Sequence, residues 1–165
     1  MTSNKPRKIA SAAYIAGEYF ILSGILNWVF VLIFTLLAGL VLGFALGIDV
    51  ASNPAYFYSG LILFPIIYWF AVKYSALNIA KRYLVSDAKK TANFAICFKV
   101  IIFVCLDAYN FISRERMLGV WKLTSDALHL DISPYMYRIL TIAGSLVSVA
   151  IFWIATKKYI KADNI

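Results

Sequence analysis

Charge is scarce in this sequence, and acidic charge scarcest. Only 15% of the 165 residues are Asp, Glu, Lys or Arg, with eight acidic against sixteen basic. A soluble domain carries about 25% charged residues, so there is too little here to cover a water-facing surface. There is one histidine, His129, and there are two cysteines, Cys97 and Cys105. That inventory leaves no His/Cys cluster at metal-ligand spacing, and no H-E-x-x-H, P-loop or G-x-S-x-G motif occurs. No metal and no cofactor is expected. The cysteines lie in one apolar run, roughly 12 Å apart along a helix, too far for a mutual disulfide; they read as small hydrophobes. Acidic residues stand singly, without a pair inside an apolar run for acid–base work. Ser125, His129 and Asp131 fall close together, but in a short polar loop of the kind that produces such groupings by chance. The chain reads as a non-enzyme.

What fills the sequence is oil. Hydrophobic residues make up 62% of it, against 45–50% in ordinary domains, and the mean hydropathy is +0.79. The expectation is an all-α polytopic membrane protein: a single domain over residues 1–165, four transmembrane helices in a bundle. The spans fall at about 19–46, 55–80, 91–112 and 135–156. The first is too long for the apolar core of a signal peptide and reads as retained; "IASAAYIAGE" lengthens it on the amino side. Asn53-Pro54 and Ser133-Pro134 each set a capping side chain before a proline at the first helical position. Ser86-Asp87 offers a cap for the third span, and Pro65 inside the second predicts a kink. No internal repeat supports an inverted-repeat transporter.

The net charge of +8 suggests nucleic acid, but no polar module remains to carry a groove or stacking platform. The basic residues instead collect at the ends of apolar runs. Eleven of the sixteen fall on one side: the amino-terminal segment, Lys73, the linker "KRYLVSDAKK" and the carboxy-terminal tail. Four, Arg114, Arg116, Lys122 and Arg138, fall on the other, and Lys99 lies within a span. The richer side is expected to be cytoplasmic, which places both termini there and makes the cell (inner) membrane the compartment. In the outer loop, Met117, Leu118, Trp121 and Leu128 recur at helical spacing, predicting a short interfacial helix. It reads either as a lid on the bundle or as a docking surface.

The third span carries two residues at odds with lipid, in "ICFKVIIFVCLDAYNF". A charge at mid-membrane costs roughly 2.5–3.5 kcal/mol. Lys99 leans towards its own helix amino end and can snorkel to the basic side. Asp107 leans deeper, is too short to escape, and needs a donor, a wet cavity or a proton. About 12 Å of helix separates the two, on faces roughly 80° apart, so they mark one face without pairing, and Asn110 broadens it. For Lys99, candidate partners are Glu18, Asn27, Tyr74 and Asn78. The face serves as a structural polar clamp, as an ion, proton or substrate contact, or as a dock for another helix.

The first span also contains "TLLAGLVLGFALG", in which Gly39, Gly43 and Gly47 repeat every four residues. Such ladders let helix backbones approach closely. Gly144 and Ser148 of the fourth span supply a matching set within the chain; a second copy is the other reading. Apart from the lipid bilayer, the expected partner is therefore another membrane protein or the chain itself. The leading functional expectation is protein–protein interaction in or at the membrane, as an accessory subunit, assembly factor or immunity-type protector. The alternative is an oligomeric channel or transporter for an ion, proton or small solute using Lys99 and Asp107.

Overall fold

A computed structural model describes residues 7–45, 47, 54–112, 122 and 133–161, with positions 42, 45, 54–61 and 107–112 described as backbone. Four helices account for nearly all of it: α1 (Ala12–Gly39), α2 (Pro54–Arg82), α3 (Ala88–Ile112) and α4 (Pro134–Tyr159). A π-helical turn, Leu40–Ala45, continues α1. Three of the helices are long and apolar enough to cross a membrane: α1, α2 over Ile62–Arg82, and α4. The third helix is 25 residues long and carries Lys89, Lys90 and Lys99 in its amino-terminal half.

The helix starts follow capping chemistry. The Ser133 hydroxyl accepts from the Met136 amide at 3.2 Å, with Pro134 in the first turn. The Asp87 carboxylate accepts from the Lys90 amide at 2.8 Å. Ser11 does the same for Tyr14 at 3.3 Å, starting α1 seven residues before the expected span. Asn53, the remaining expected cap, lies outside the described residues, as do Met117, Leu118, Trp121 and Leu128 of the predicted interfacial helix and Ser125, His129 and Asp131. α2 runs through Pro65 as one helix.

α1 packs on α2 and α3, and α4 packs on the same two. The order around the bundle is thus α1–α2–α4–α3, and the link 83–87 joins two helices that are not principal neighbours. Buried positions form one stripe per helix at 3.6-residue spacing: Ile15, Ala16, Tyr19 and Ser23 on α1; Tyr68, Val72, Ser75, Ala76 and Ile79 on α2; Thr91, Ala92 and Ala95 on α3; Ser148, Phe152, Ala155 and Thr156 on α4. Small residues set between a few large rings allow close helix approach without a solvent-driven core. All these stripes lie towards the end that gathers the basic residues. The far half of α1 is bare by comparison, with Trp28 69% and Phe44 88% exposed.

Two further elements close the basic end. Residues before α1 pair with the α2–α3 link in a parallel bridge between Lys8 and Tyr83. The Lys8 amide donates to the Arg82 carbonyl at 2.8 Å, and the Leu84 amide donates to the Lys8 carbonyl at 3.0 Å. This strap ties the amino terminus across the mouth of the bundle.

Candidate functional site: a polar junction between the helices

Each of the four helices sends a polar or aromatic side chain to the buried cluster near the basic end. The Tyr19 hydroxyl of α1 and the Thr156 hydroxyl of α4 lie 2.9 Å apart, fully enclosed. The Tyr19 ring stacks on Phe152 at 5.4 Å between centroids, and Phe20 meets Phe152 edge-on at 6.1 Å. Tyr68 of α2 belongs to the same cluster and stacks on Phe64 at 5.7 Å. The Lys99 ammonium of α3 sits over the Tyr68 ring, 5.1 Å from its centroid. A ring face attracts a cation through its quadrupole, more strongly where water is thin. Among the described residues no carboxylate lies within ion-pairing distance of Lys99.

Lys99 thus meets Tyr68, and not Glu18, Asn27, Tyr74 or Asn78. Glu18 works elsewhere. It accepts from Arg82 Nη1 at 2.9 Å and from the Tyr83 hydroxyl at 2.5 Å, holding the end of α2 and the link beneath the strap. A phenolate has no proton to give that carboxylate. The hydrogen bond to Glu18 therefore raises the Tyr83 pKa above its ordinary value, with burial and the neighbouring Tyr14 adding to it. Asn27 sits halfway along α1 with its Oδ1 enclosed and without a donor. Asp107 and Asn110 fall on the far part of α3, where their side chains lie outside the described residues.

The glycine ladder does not form as the four-residue spacing implied. That reading assumed uniform α-helix. The π turn at Leu40–Ala45 closes hydrogen bonds one residue further along, so Gly43 leaves the register of Gly39. Gly47 is not in the helix at all: its φ of +63° is the left-handed conformation that follows a helix end. A Cβ added at Gly39, or at Gly144 of α4, would meet nothing within 4 Å, so neither glycine serves close approach inside this chain. Ser148 does face the core, where its hydroxyl donates to the Ser145 carbonyl at 2.8 Å.

Chemically the junction is quiet. The hydroxyls of Ser23 and Ser75 also return to carbonyls of their own helix. The one cation rests on a ring. Among the described residues no group of three His, Cys, Asp or Glu side chains converges, and Cys97 and Cys105 are free and exposed. The arrangement can clamp helices together and can hold a charge in the interior. Comparison with protein-family models, with curated proteins and with solved structures returns no match.

Proposed function

We propose that this protein crosses the membrane four times, with its basic end and both termini in the cytoplasm, and acts without catalysis by binding a second membrane-embedded chain through the far half of α1. The observation that carries this reading is the open backbone at Gly39. A small residue that the chain's own helices leave unfilled suits the close approach of a foreign helix, and the exposed, π-distorted turn beside it suits a contact more than a span built only for lipid. The accessory-subunit, assembly-factor and protector roles all use such a surface.

A photo-crosslinking residue placed at Gly39, in cells where the protein is active, tests the reading. It should yield a discrete adduct, its mass telling a second copy from another protein, while the same residue at buried Ser75 should yield none. Gly39→Leu should abolish the adduct obtained from a crosslinker at Leu36 without lowering the thermal stability of the purified chain. Recovery of uncrosslinked monomer alone from both Gly39 and Leu36 overturns it.

A second reading, movement of an ion, proton or small solute, draws on Lys99, a cation held in the interior by a ring and not neutralised by a described carboxylate. Proteoliposome flux that falls with Lys99→Gln supports it; flux equal to that of empty vesicles under several gradients removes it.

A further inference from the structure

The seam between α2 and α4 at the basic end gathers cations onto aromatic rings. The Lys73 ammonium lies 5.9 Å from the centroid of Tyr159. The Lys158 ammonium lies 5.6 Å from the centroids of both Trp69 and Tyr159. Trp69 and Tyr159 meet edge-to-face at 5.9 Å, so both lysines contact one ring pair. Just outside it, Lys157 lies 4.7 Å from the exposed ring of Trp153. Among the described residues no carboxylate lies within ion-pairing distance of any of these lysines. An exposed cation–π contact contributes only about 0.5–1 kcal/mol, so the rings leave most of this positive charge uncompensated. The seam therefore calls for an anion.

Its surroundings say which one. Tyr159 closes α4 with Lys157 and Lys158 in its last turn, and Trp or Tyr beside Lys at the end of an apolar helix marks the depth of lipid headgroups. Exposed Phe70 of α2 and exposed Trp153 and Ile154 of α4 are neighbours of these residues in the chain, so an occupant needs acyl chains as well as charge. We infer that the α2–α4 seam is a binding site for an acidic phospholipid, its phosphate held by Lys73 and Lys158 and its glycerol backbone set against Trp69 and Tyr159. Basic pockets between transmembrane helices on the cytoplasmic side bind anionic headgroups in this manner. The inference rests on the membrane reading above, though not on its protein partner.

The test uses the full chain reconstituted in phosphatidylcholine vesicles, with tryptophan quenching by brominated phosphatidylglycerol or brominated phosphatidylcholine at equal mole fraction. Wild type should favour the acidic lipid by roughly thirtyfold, about fivefold for each of the two lysines. Lys73→Gln and Lys158→Gln should each forfeit about fivefold, and the double variant should retain no preference. Lys89→Gln with Lys90→Gln, which removes the same charge from the same end, should leave it intact. Equal quenching by both lipids in wild type overturns the site, as does an equal loss in the Lys89/Lys90 variant. So does displacement of the lipid by millimolar inorganic phosphate, which would make the ligand a free anion. Should the double variant fail to fold, the wild-type preference and the two single variants still decide. A chain that fails to float with pure phosphatidylcholine vesicles sinks the membrane reading; one that floats without preference sinks only this inference.

Discussion

Tyr19 shows how little polar chemistry this interior uses and how much hangs on it. Its hydroxyl and that of Thr156 join α1 to α4 across the bundle, while the other interior hydroxyls described above return to their own helices. Tyr19→Phe should lower stability by about 1 kcal/mol, the net worth of one hydrogen bond, and Thr156→Val by a similar amount. Because both remove the same bond, the double variant should lose less than the sum; unfolding in mixed micelles measures all three. Tyr83 carries a pH prediction. Its folded-state pKa lies above the ordinary phenol value of 10.0, chiefly through its bond to Glu18. A raised value means the stabilisation is fully present below the unfolded pKa and is lost only as pH climbs past the folded one. The clasp should therefore hold unchanged from neutrality to about pH 10. Subtracting the phenolate absorbance of Tyr83→Phe from that of wild type should reveal a tyrosine still protonated where ordinary phenols ionise; a difference curve centred at the ordinary value would count against the clasp. Sequence alone put Lys99 within an apolar run, and the lysine lies on a helix whose buried face joins the bundle. Sequence could not choose Tyr68 as the partner, since a ring on another helix competes with ten other tyrosines and leaves no mark in spacing.

At the scale of elements, the helices were legible where caps and apolar length speak together. Ser133-Pro134 and Asp87 start α4 and α3 where their chemistry predicted. The start of α1 at Ala12 was hidden because "IASAAYIAGE" reads equally as interface or helix, and the Ser11 cap resolves it. The strap between Lys8 and Tyr83 was not legible, for a bridge of one residue pair across 75 positions has no periodicity to detect. The end of α1 misled outright. A glycine every fourth residue looks the same whether it opens a packing face or ends a helix, and only the backbone angle separates the cases. Gly47, at φ +63°, stands where an L-residue is strained, so Gly47→Ala should cost about 1–2 kcal/mol. Gly39→Ala, helical and with open space around its Cβ, should instead leave stability level or slightly raised, as helix propensity favours alanine. Equal losses at the two positions, measured by thermal unfolding in detergent, would show that Gly47 does not hold that conformation.

For the whole molecule, the division of labour runs along the bundle. The basic end holds the buried stripes, the strap, the Glu18 clasp and the cation-bearing rings; the far half of α1 faces outward with its large side chains exposed. An asymmetric bundle of this kind has a fixed end and a surface free to meet lipid or another chain, and the excess of basic residues at one end is the basis for proposing that this end stays inside. α3 is 25 residues long and carries Lys89, Lys90 and Lys99. Its crossing is nevertheless required if the basic ends of α2 and α4 are to share one side, because both helices run towards that end and only α3 returns the chain between them. Impermeant maleimide labelling decides this. In a Cys97→Ser/Cys105→Ser background, single cysteines replace Lys90, Lys122 and Lys161 in right-side-out vesicles. Only the cysteine at 122 should label before permeabilisation, with those at 90 and 161 labelling after it. The reverse pattern would invert the protein. Labelling at 90 and 122 from the same side would leave α3 lying at the surface, and the interior charge at Lys99 would then belong to the interface and not to a span.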